Sequence, residues 1–458
     1  MLDRCLWSLE TRSFLLFYLL CRHRFRHYSL DQIRRYQQSR LASVLRHAVS
    51  QSRFFRDYYH GFDLRNPSLL PTVNKRIMMD NLTDYNTAGL TKEQILDFCL
   101  ETEKSRDFSR RLCGLNVGMS SGTSGNKGVE IVSPREESYM KAALLARFDF
   151  PQGEKINLAF ILRVSAPAFN LDRFGHRLTY ISQLASIEDI RRRLADVNPN
   201  VLSAPPSMLK IIAQEVEQDR LAIAPKRVVS YAEVLYPDVK AYLACVFGCP
   251  IHEIYKCTEG PIAMTCEHGR LHINEDLVLV QTLDENGAET PPGQPCRQLI
   301  VTDLHKRVQP IIRYELNDII TISPEQCPCG SSFRVIERIQ GRSDDLFWAR
   351  SAVSGEWQFI FPDYISRAII SSSEMIDEYQ ATQTSPSSVL VCLKLKDPAR
   401  ESQFEQAALI ANIIELFEAY RCERPTVEVR FAAPEANRRS GKMVRILRDF
   451  ELGDSDHR

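Results

Sequence analysis

From about residue 51 to about residue 340, apolar runs of strand length alternate with segments of helical periodicity. In chain order these runs read NLAFIL, LTYISQL, IEDIRRRLADV, PNVLSA, KRVVSYAE, PDVKAYLACVFG and IHEIY. A helix between two strands can cover one face of a sheet and return the chain to the same edge, so this alternation favours parallel pairing. The sequence therefore predicts an α/β fold with a largely parallel sheet.

The length of the chain points to more than one domain. A chain of 458 residues is too long for a single hydrophobic core. After GRSDD, at 341–345, the pattern restarts with the strand SVLVCLKLK, a helix from about Gln403 to Tyr420 and the strand TVEVRF. We predict a large multi-layer α/β domain over residues 1–341 and a small α+β domain over residues 342–458.

Charge and cysteine usage narrow the classes of partner and compartment. Lys plus Arg and Asp plus Glu number 58 each, so no net field favours nucleic acid. The 13 cysteines are an odd, scattered set with no secretory signal ahead of them. This usage is typical of reduced thiols in the cytoplasm and predicts a cytoplasmic protein.

The amino-terminal segment is rich in leucine and arginine. Its apolar run, FLLFYLLC at 14–21, is far shorter than the roughly 20 residues that a membrane-spanning helix needs. We therefore expect no transmembrane segment. Two interpretations stay open for this helix: packing onto the body of the protein, which we favour, or an interfacial position on a membrane, because RHRFRH follows at once.

The segment SSGTSGNKG, at 120–128, has the composition of a phosphate-binding loop. Glycine allows close backbone approach to an anion, and the hydroxyl groups can donate hydrogen bonds. Strand-like residues flank the segment on both sides, so it differs from a Walker-type loop, which precedes a helix. The candidate phosphate-binding residues are Ser120, Ser121, Gly122, Thr123, Ser124, Gly125 and Lys127. A plain connecting loop is the alternative interpretation.

Four further segments follow this loop along the chain. They are YKCTEG at 255–260, RYELNDI at 313–319, RIQGRSDD at 338–345 and RRSGKMVR at 438–445. Together with the loop, they make the sequence similar to the adenylate-forming superfamily of acyl-CoA ligases, and within it to the phenylacetate-CoA ligase-like branch. The resemblance extends over nearly the whole chain.

The resemblance implies an ATP and Mg²⁺ site built from these motifs. The 120–128 loop would hold the phosphates that leave as pyrophosphate, and Thr258 would contact the α-phosphate. Glu259 would bind Mg²⁺, which prefers carboxylate and phosphate oxygens. Tyr255 belongs to the same nucleotide-binding motif, and Asp318 would accept hydrogen bonds from the ribose hydroxyl groups.

The same resemblance implies a mobile small domain. Arg342 would contact ribose or phosphate, and Asp344 would be the hinge. Lys442 would bridge the substrate carboxylate and the α-phosphate in the adenylation transition state only. The walls of the acid pocket would come from segments such as 204–208 and 230–235.

A metal site is a separate prediction. Cys327 and Cys329 are one residue apart, and Cys266 with His272 can supply a second pair of ligands for a structural Zn²⁺. His268 competes with His272 as the fourth ligand, and unligated thiols are the alternative. Some phenylacetate-CoA ligase-like proteins carry a structural zinc at similar positions.

The predicted function is an AMP-forming ligase. It would activate a carboxylic acid, aryl or acyl, as an acyl-adenylate and pass the acyl group to a thiol of coenzyme A or of a carrier protein. An adenylyltransferase that stops at an AMP ester is the alternative among enzymes, and a non-catalytic nucleotide sensor is the alternative from another class. The sequence leaves open the identity of the acid and the oligomeric state, with a homodimer as one option.

Overall fold

A computed structural model describes residues 9–105, 107–119, 128–148, 154–162, 176–183, 185–342, 345–435 and 444–450 of the chain. The amino-terminal part is helical. Its helices are α1 (Leu9–His27), α2 (Leu30–Gln51), α3 (Arg53–Tyr58), α4 (Lys75–Asp80), α5 (Leu82–Tyr85) and α6 (Lys92–Ser105), with a 3₁₀ turn at Pro67–Leu69.

Helix α2 shows how the local sequence sets these boundaries. Ser29 accepts a hydrogen bond from the backbone N–H of Gln32, and the Gln32 side chain accepts one from the backbone of Ser29. This capping box satisfies two amide groups that the first helical turn leaves without partners. The face buried by α2 includes Ile33, Leu41 and Val44, as its helical periodicity predicts.

The central part alternates strands with helices. Its elements are β1 (Asn116–Met119), β2 (Val129–Val132), α7 (Pro134–Arg147), β3 (Asn157–Leu162), β4 (Arg177–Ser182), α8 (Ile187–Val197), β5 (Val201–Ala204), α9 (Pro206–Glu217), β6 (Arg227–Tyr231), α10 (Pro237–Phe247) and β7 (Ile251–Lys256). Strands β3 to β7 pair in parallel. Helices α8, α9 and α10 bury apolar residues such as Ile190, Leu209 and Leu243 in one core with these strands.

The chain then continues mainly as strands. These are β8 (Pro261–Thr265), β9 (Leu271–Ile273), β10 (Val278–Leu283), β11 (Gln298–Asp303), β12 (Tyr314–Leu316), β13 (Asp318–Ile322), β14 (Val335–Arg342), β15 (Phe347–Arg350) and β16 (Trp357–Ile360). Among the described residues, the main sheet has the order β13-β14-β9-β8-β7-β6-β5-β3-β4.

The predicted parallel pairing is right for only half of this sheet. The pairs β7–β8, β8–β9, β9–β14 and β13–β14 are antiparallel. Residues 257–334 contain no helix, and tight turns join β7 to β8 and β8 to β9, because the backbone N–H of Cys257 donates to Gly260 and that of Gly269 donates to Cys266. Such turns leave no room for a crossover helix, which parallel pairing requires.

The carboxyl-terminal part forms a smaller layer. Its elements are α11 (Pro362–Ile370), β17 (Ile376–Ser385), β18 (Ser388–Leu395), α12 (Gln406–Ala419), β19 (Thr426–Phe431) and β20 (Ile446–Arg448), with a 3₁₀ helix at Pro398–Gln403. The sheet order is β19-β18-β17-β20 within the described ranges. Buried residues of α11 and α12, such as Ile365 and Ile413, share a core with Val391.

The sequence predicts β18, α12 and β19 correctly but misses β17 and α11. The 1–341 and 342–458 domain boundary falls at the end of β14 and stays a prediction. At this point Gly341 adopts a φ of +122°, and a Cβ there would lie 3.0 Å from Cγ of Pro362. Both the backbone conformation and the approach of α11 therefore require glycine.

One buried side chain completes the hairpin of β1 and β2. Gln309 accepts from the backbone N–H of Ile131 at 2.8 Å and donates to the carbonyl oxygen of Val129 at 2.9 Å. It is only 1% exposed. Gln309 thus forms the hydrogen bonds that a neighbouring strand would otherwise form with this edge of β2. Strand β2 follows the 120–127 loop.

We expect Gln309→Leu to lower the free energy of unfolding by about 2–5 kcal/mol, because it leaves a buried N–H and a buried carbonyl without partners. Urea denaturation of the purified variant measures the loss. The control is Gln218→Leu, at an exposed glutamine, where a change within about 0.5 kcal/mol is expected. Equal losses in the two variants would contradict the role of Gln309.

Candidate functional site

Tyr255 and Asp318 belong to two motifs that lie far apart in the sequence and meet in the structure. The Tyr255 hydroxyl donates a hydrogen bond to Oδ2 of Asp318 at 2.5 Å. Tyr255 is the last residue but one of β7, and Asp318 begins β13. The YKCTEG and RYELNDI motifs therefore contribute to one site.

The turn after β7 carries Thr258 and Glu259. Glu259 is 6% exposed, and its negative charge is felt by the groups around it. Burial and the Glu259 charge together raise the pKa of the Cys257 thiol and of the Tyr314 hydroxyl. A buried carboxylate that disfavours negative charge nearby is suited to receive a cation.

Gly260 closes this turn and cannot be replaced by a larger residue without movement. A Cβ at this position would lie 3.2 Å from Oδ2 of Asp303. Asp303 is itself fixed, because its Oδ1 accepts hydrogen bonds from the backbone N–H groups of His305 and Lys306, both at 2.7 Å. The close approach of Asp303 thus explains why the YKCTEG motif has a glycine at this position.

Lys306 joins the turn to the hairpin of β1 and β2, whose strands flank residues 120–127. Its Nζ donates to Oε1 of Glu130 in β2 at 2.9 Å and to the carbonyl oxygen of Thr258 at 3.2 Å. The side chain of Lys306 is buried. Burial lowers the pKa of Lys306, but the charges of Glu130, Asp303 and Glu259 outweigh that effect and raise it. Lys306 is therefore a positively charged group inside the site.

The contacts of the neighbouring His305 fix the backbone around Lys306. Its Nε2 lies 2.9 Å from the carbonyl oxygen of Asp276, and its ring stacks on Tyr139 of α7 with a centroid distance of 4.0 Å. Burial and the nearby arginines lower the pKa of His305 to about 3. A neutral imidazole therefore anchors this segment at physiological pH.

The two segments expected to wall the acid pocket contact each other. Glu233 accepts hydrogen bonds from the hydroxyl group of Ser207 at 3.0 Å and from its backbone N–H at 3.1 Å. Tyr231 donates to the carbonyl oxygen of Ile161 at 2.5 Å and stacks on Phe160. Both segments follow strands of the parallel half of the sheet, where ligands of α/β folds commonly bind.

A Cys/His cluster lies at the other end of β8. The ligand atoms of Cys266, His272, Cys327 and Cys329 all lie within 4.8 Å of one another. Sγ of Cys266 is 3.6 Å from Sγ of Cys327, and Sγ of Cys329 is 3.4 Å from Nε2 of His272. These spacings fit a tetrahedral Zn²⁺ ion, whose thiolate ligands lie about 3.8 Å apart.

The structure also distinguishes the two candidate histidines. His272 is buried, and its Nδ1 lies 2.9 Å from the carbonyl oxygen of Phe333. This contact fixes the Nδ1–H tautomer and leaves Nε2 free to bind a metal. His268 is exposed and does not belong to the cluster of ligand atoms.

Several predicted site residues lie outside the described residues. These are Ser120, Ser121, Gly122, Thr123, Ser124, Gly125, Lys127, Asp344 and Lys442. The flanks of the loop are described, and β1 and β2 pair as an antiparallel hairpin from Asn116↔Val132 to Met119↔Val129. The backbone of Arg342 ends β14 and pairs with Asp318, and its side chain lies outside the described part.

Comparison with known proteins agrees with these motifs. The chain is 25% identical over 197 residues to the phenylacetate-coenzyme A ligase of Thermus thermophilus, covering 41% of this chain and 42% of that one. It is 22% identical over 378 residues to the enzyme of the same name from Pseudomonas putida, covering 77% and 79%. The predicted resemblance is confirmed. The match thus spans about 42% of the Thermus relative and of a third ligase of that name, from Aromatoleum evansii.

Solved structures identify the fold. A structure of 2-hydroxyisobutyryl-CoA ligase in the postadenylation state, in complex with R3-HIB-AMP, has a TM-score of 0.69 at 16% identity and covers 93% of this chain and 91% of its own. The o-succinylbenzoate CoA synthetase of Bacillus subtilis has a TM-score of 0.51, with 72% and 68% covered. The chain thus has the fold of these adenylate-forming ligases. No family model matches it.

We expect Lys306→Met to lower the free energy of unfolding by about 3–5 kcal/mol, because Glu130 and Asp303 lose their buried counter-charge. Lys256 provides a matched control. It contacts the other carboxylate oxygen of Glu130 at 3.5 Å, and its side chain is 33% exposed, so Lys256→Met should cost less than about 1 kcal/mol. Chemical denaturation compares the two, and similar losses would argue against a special role for Lys306.

Proposed function

We propose that this protein is an ATP-dependent, AMP-forming ligase that activates a carboxylic acid and passes the acyl group to a thiol. The observation that carries the proposal is the hydrogen bond between Tyr255 and Asp318. It joins two motifs that the resemblance assigns to the nucleotide. Lys306 links the hairpin of β1 and β2, which flanks the candidate phosphate-binding loop, to the same site, because it contacts both Glu130 and Thr258.

In this proposal each described residue has one task. Asp318 accepts hydrogen bonds from the ribose hydroxyl groups, and Tyr255 holds its carboxylate in place. Thr258 contacts the α-phosphate. Glu259 suits Mg²⁺ because it is a buried carboxylate. The cation would neutralise charge between the triphosphate and the acid.

The remaining tasks belong to residues inferred from the resemblance. Residues 120–127 would hold the β- and γ-phosphates, and Arg342 would contact the nucleotide. Lys442 would approach the α-phosphate and the acid carboxylate, with Asp344 as the hinge. An oxygen of the acid then attacks the α-phosphorus in line, and pyrophosphate leaves. In the second step a thiolate attacks the acyl carbon, and AMP leaves.

The thiol and the acid are the open parts of the proposal. Coenzyme A and the phosphopantetheine arm of a carrier protein present the same thiol chemistry. The 204–208 and 230–235 segments are proposed to wall the acid pocket, where Tyr231 and Phe160 supply stacked aromatic surface. Such surface favours a flat or apolar acid.

We also propose a structural Zn²⁺ ion at Cys266, His272, Cys327 and Cys329. The donor set fits this ion, since three sulfur atoms and one imidazole nitrogen suit a closed tetrahedral site. Strand β8 separates the cluster from Glu259, so the role proposed for the ion is to tie the β8–β9 turn to the 327–329 segment.

The decisive experiment is a pyrophosphate-release screen over aryl, aliphatic and hydroxy acids, with and without coenzyme A. An AMP-forming ligase releases pyrophosphate only with its acid and forms a thioester only when the thiol is present. Accumulation of an AMP ester that coenzyme A leaves unchanged would favour an adenylyltransferase. ATP binding without pyrophosphate release under any condition would favour a nucleotide sensor and overturn the proposal.

Lys442→Ala separates the two half-reactions. We expect it to lower the rate of acid-dependent pyrophosphate release at least about a hundredfold, because the lysine would stabilise charge only in the adenylation transition state. Conversion of a supplied acyl-adenylate to the thioester should change less than about threefold, because thioester formation uses another domain orientation. Lys396→Ala, at an exposed lysine of the same carboxyl-terminal part, serves as the control. Equal loss of both half-reactions would contradict the role of Lys442.

The zinc proposal has its own test. Freshly purified protein should contain about one equivalent of zinc, and Cys329→Ser should lower both the zinc content and the thermal midpoint, because metal binding is coupled to folding. Cys392→Ser is the matched control, at a partly buried thiol outside the cluster. Metal analysis that finds no zinc in the reduced protein would refute the proposal.

A further inference from the structure

Helix α1 has one face packed against the protein. Cys21 and Phe25 are buried, and the ring of Phe17 contacts that of Tyr139 in α7 at a centroid distance of 4.9 Å. Arg24 donates a hydrogen bond to the Tyr139 hydroxyl at 2.9 Å. These contacts show that one face of the helix packs onto the body of the protein, so the two interpretations apply to different faces. They also fix which face of the helix points outward.

The outward face carries four leucines on adjacent turns. Their exposed fractions are 37% for Leu15, 54% for Leu16, 53% for Leu19 and 38% for Leu20. The spacing of i, i+1, i+4 and i+5 places all four on one side of the helix. By contrast, the other large exposed apolar residues are spread over separate elements: Leu30, Phe62, Leu69, Leu100, Ile211, Val234, Val353 and Ile370. A contiguous apolar patch of this kind usually marks an interaction surface.

Cationic side chains lie at both ends of this leucine patch. The charged residues are Arg12, which precedes it, and Arg26, which follows it; the imidazole side chains of His23 and His27 lie beside Arg26, and all four side chains are exposed. At 100° per residue, these four side chains fall on the same side of α1 as the leucines. Residues 12–27 contain no Asp or Glu. The local charge contrasts with that of the whole chain, in which acidic and basic residues balance.

The pattern suits a helix that lies on a membrane. No described helix is long and apolar enough to cross a bilayer. A short apolar face flanked by Arg and His instead suits burial at the boundary of headgroups and acyl chains, with the arginines and the polar imidazoles at the headgroups. Anionic headgroups add an attraction that acts within about one Debye length.

We propose that the leucine patch of α1, with Arg12, His23, Arg26 and His27, is a docking surface for an anionic lipid bilayer. Charge disfavours a second copy of the chain as the occupant. Two copies that paired through this face would bring Arg12 or Arg26 of one copy close to an arginine of the other, in either a parallel or an antiparallel arrangement. A phospholipid surface supplies both the apolar layer and the opposite charge that the face lacks.

The test measures sedimentation with vesicles and needs no enzymatic assay, so its outcome is independent of the proposed ligase function. Wild-type protein should sediment with vesicles of phosphatidylcholine and phosphatidylserine. Binding to phosphatidylcholine alone should be at least about fivefold weaker, and about 0.5 M NaCl should weaken binding to the anionic vesicles.

Two pairs of variants separate the apolar and the charged contributions. Leu16→Gln with Leu19→Gln should lower the vesicle partition coefficient about tenfold or more. The control is Leu69→Gln with Val353→Gln, which changes two residues that are 70% and 83% exposed. Arg26→Glu should weaken binding to anionic vesicles, whereas Lys396→Glu, which makes the same change of charge elsewhere, should not.

Unchanged thermal midpoints would show that the variants fold. Absence of wild-type binding to anionic vesicles would overturn the proposal, and so would equal binding by the Leu16→Gln, Leu19→Gln variant. A wild-type dimer in size-exclusion chromatography that this variant converts to monomer, without vesicle binding, would make the patch a self-association surface instead.

Discussion

The buried ammonium group of Lys306 is the centre on which the candidate site depends. It contacts a carboxylate from the hairpin of β1 and β2 and a backbone carbonyl from the turn after β7. The two residues contacted, Glu130 and Thr258, are 128 residues apart in the sequence. A charge that is held away from water must keep its partners, because losing either one leaves an uncompensated group. Lys306 thereby fixes the distance between the loop that would hold phosphates and the turn that would hold the cation.

The position of Lys306 depends in turn on the packing of the amino-terminal helices. His305 stacks on Tyr139 and contacts Tyr36 of α2 at 3.1 Å. Arg147 of α7 forms a buried ion pair with Asp276, whose carbonyl oxygen lies 2.9 Å from Nε2 of His305. Helices α1, α2 and α7 therefore hold the segment around His305 and Lys306 in position. If α1 rests on a bilayer, these same three helices connect the membrane-facing surface to the site.

Local sequence patterns predicted the elements but not their long-range partners. Strands β3 and β19 and helix α8 match their predicted bounds because alternation and helical periodicity are local signals. The roles of Lys306 and Gln309 left no such signal, since each depends on partners more than a hundred residues away. The antiparallel half of the sheet was missed because residues 257–334, which connect its strands, contain no crossover helix. Tyr255, Asp318 and the Cys/His cluster were found through motifs, and the structure added their distances.

Strand β8 gives the two proposed ion sites different tasks. Glu259 and Gly260 precede its first residue, Pro261, and Cys266 follows its last residue, Thr265. Five residues of extended chain span roughly 16 Å, so a zinc ion at the cluster would lie too far from Glu259 to share a ligand with the proposed Mg²⁺ ion. Strand β13 repeats the arrangement, because it begins at Asp318 and leads toward Cys327. The metal cluster would thus hold together the ends of β8 and β13 that lie away from the proposed nucleotide-binding residues. The ion would affect the reaction only indirectly, by keeping these two strands in place.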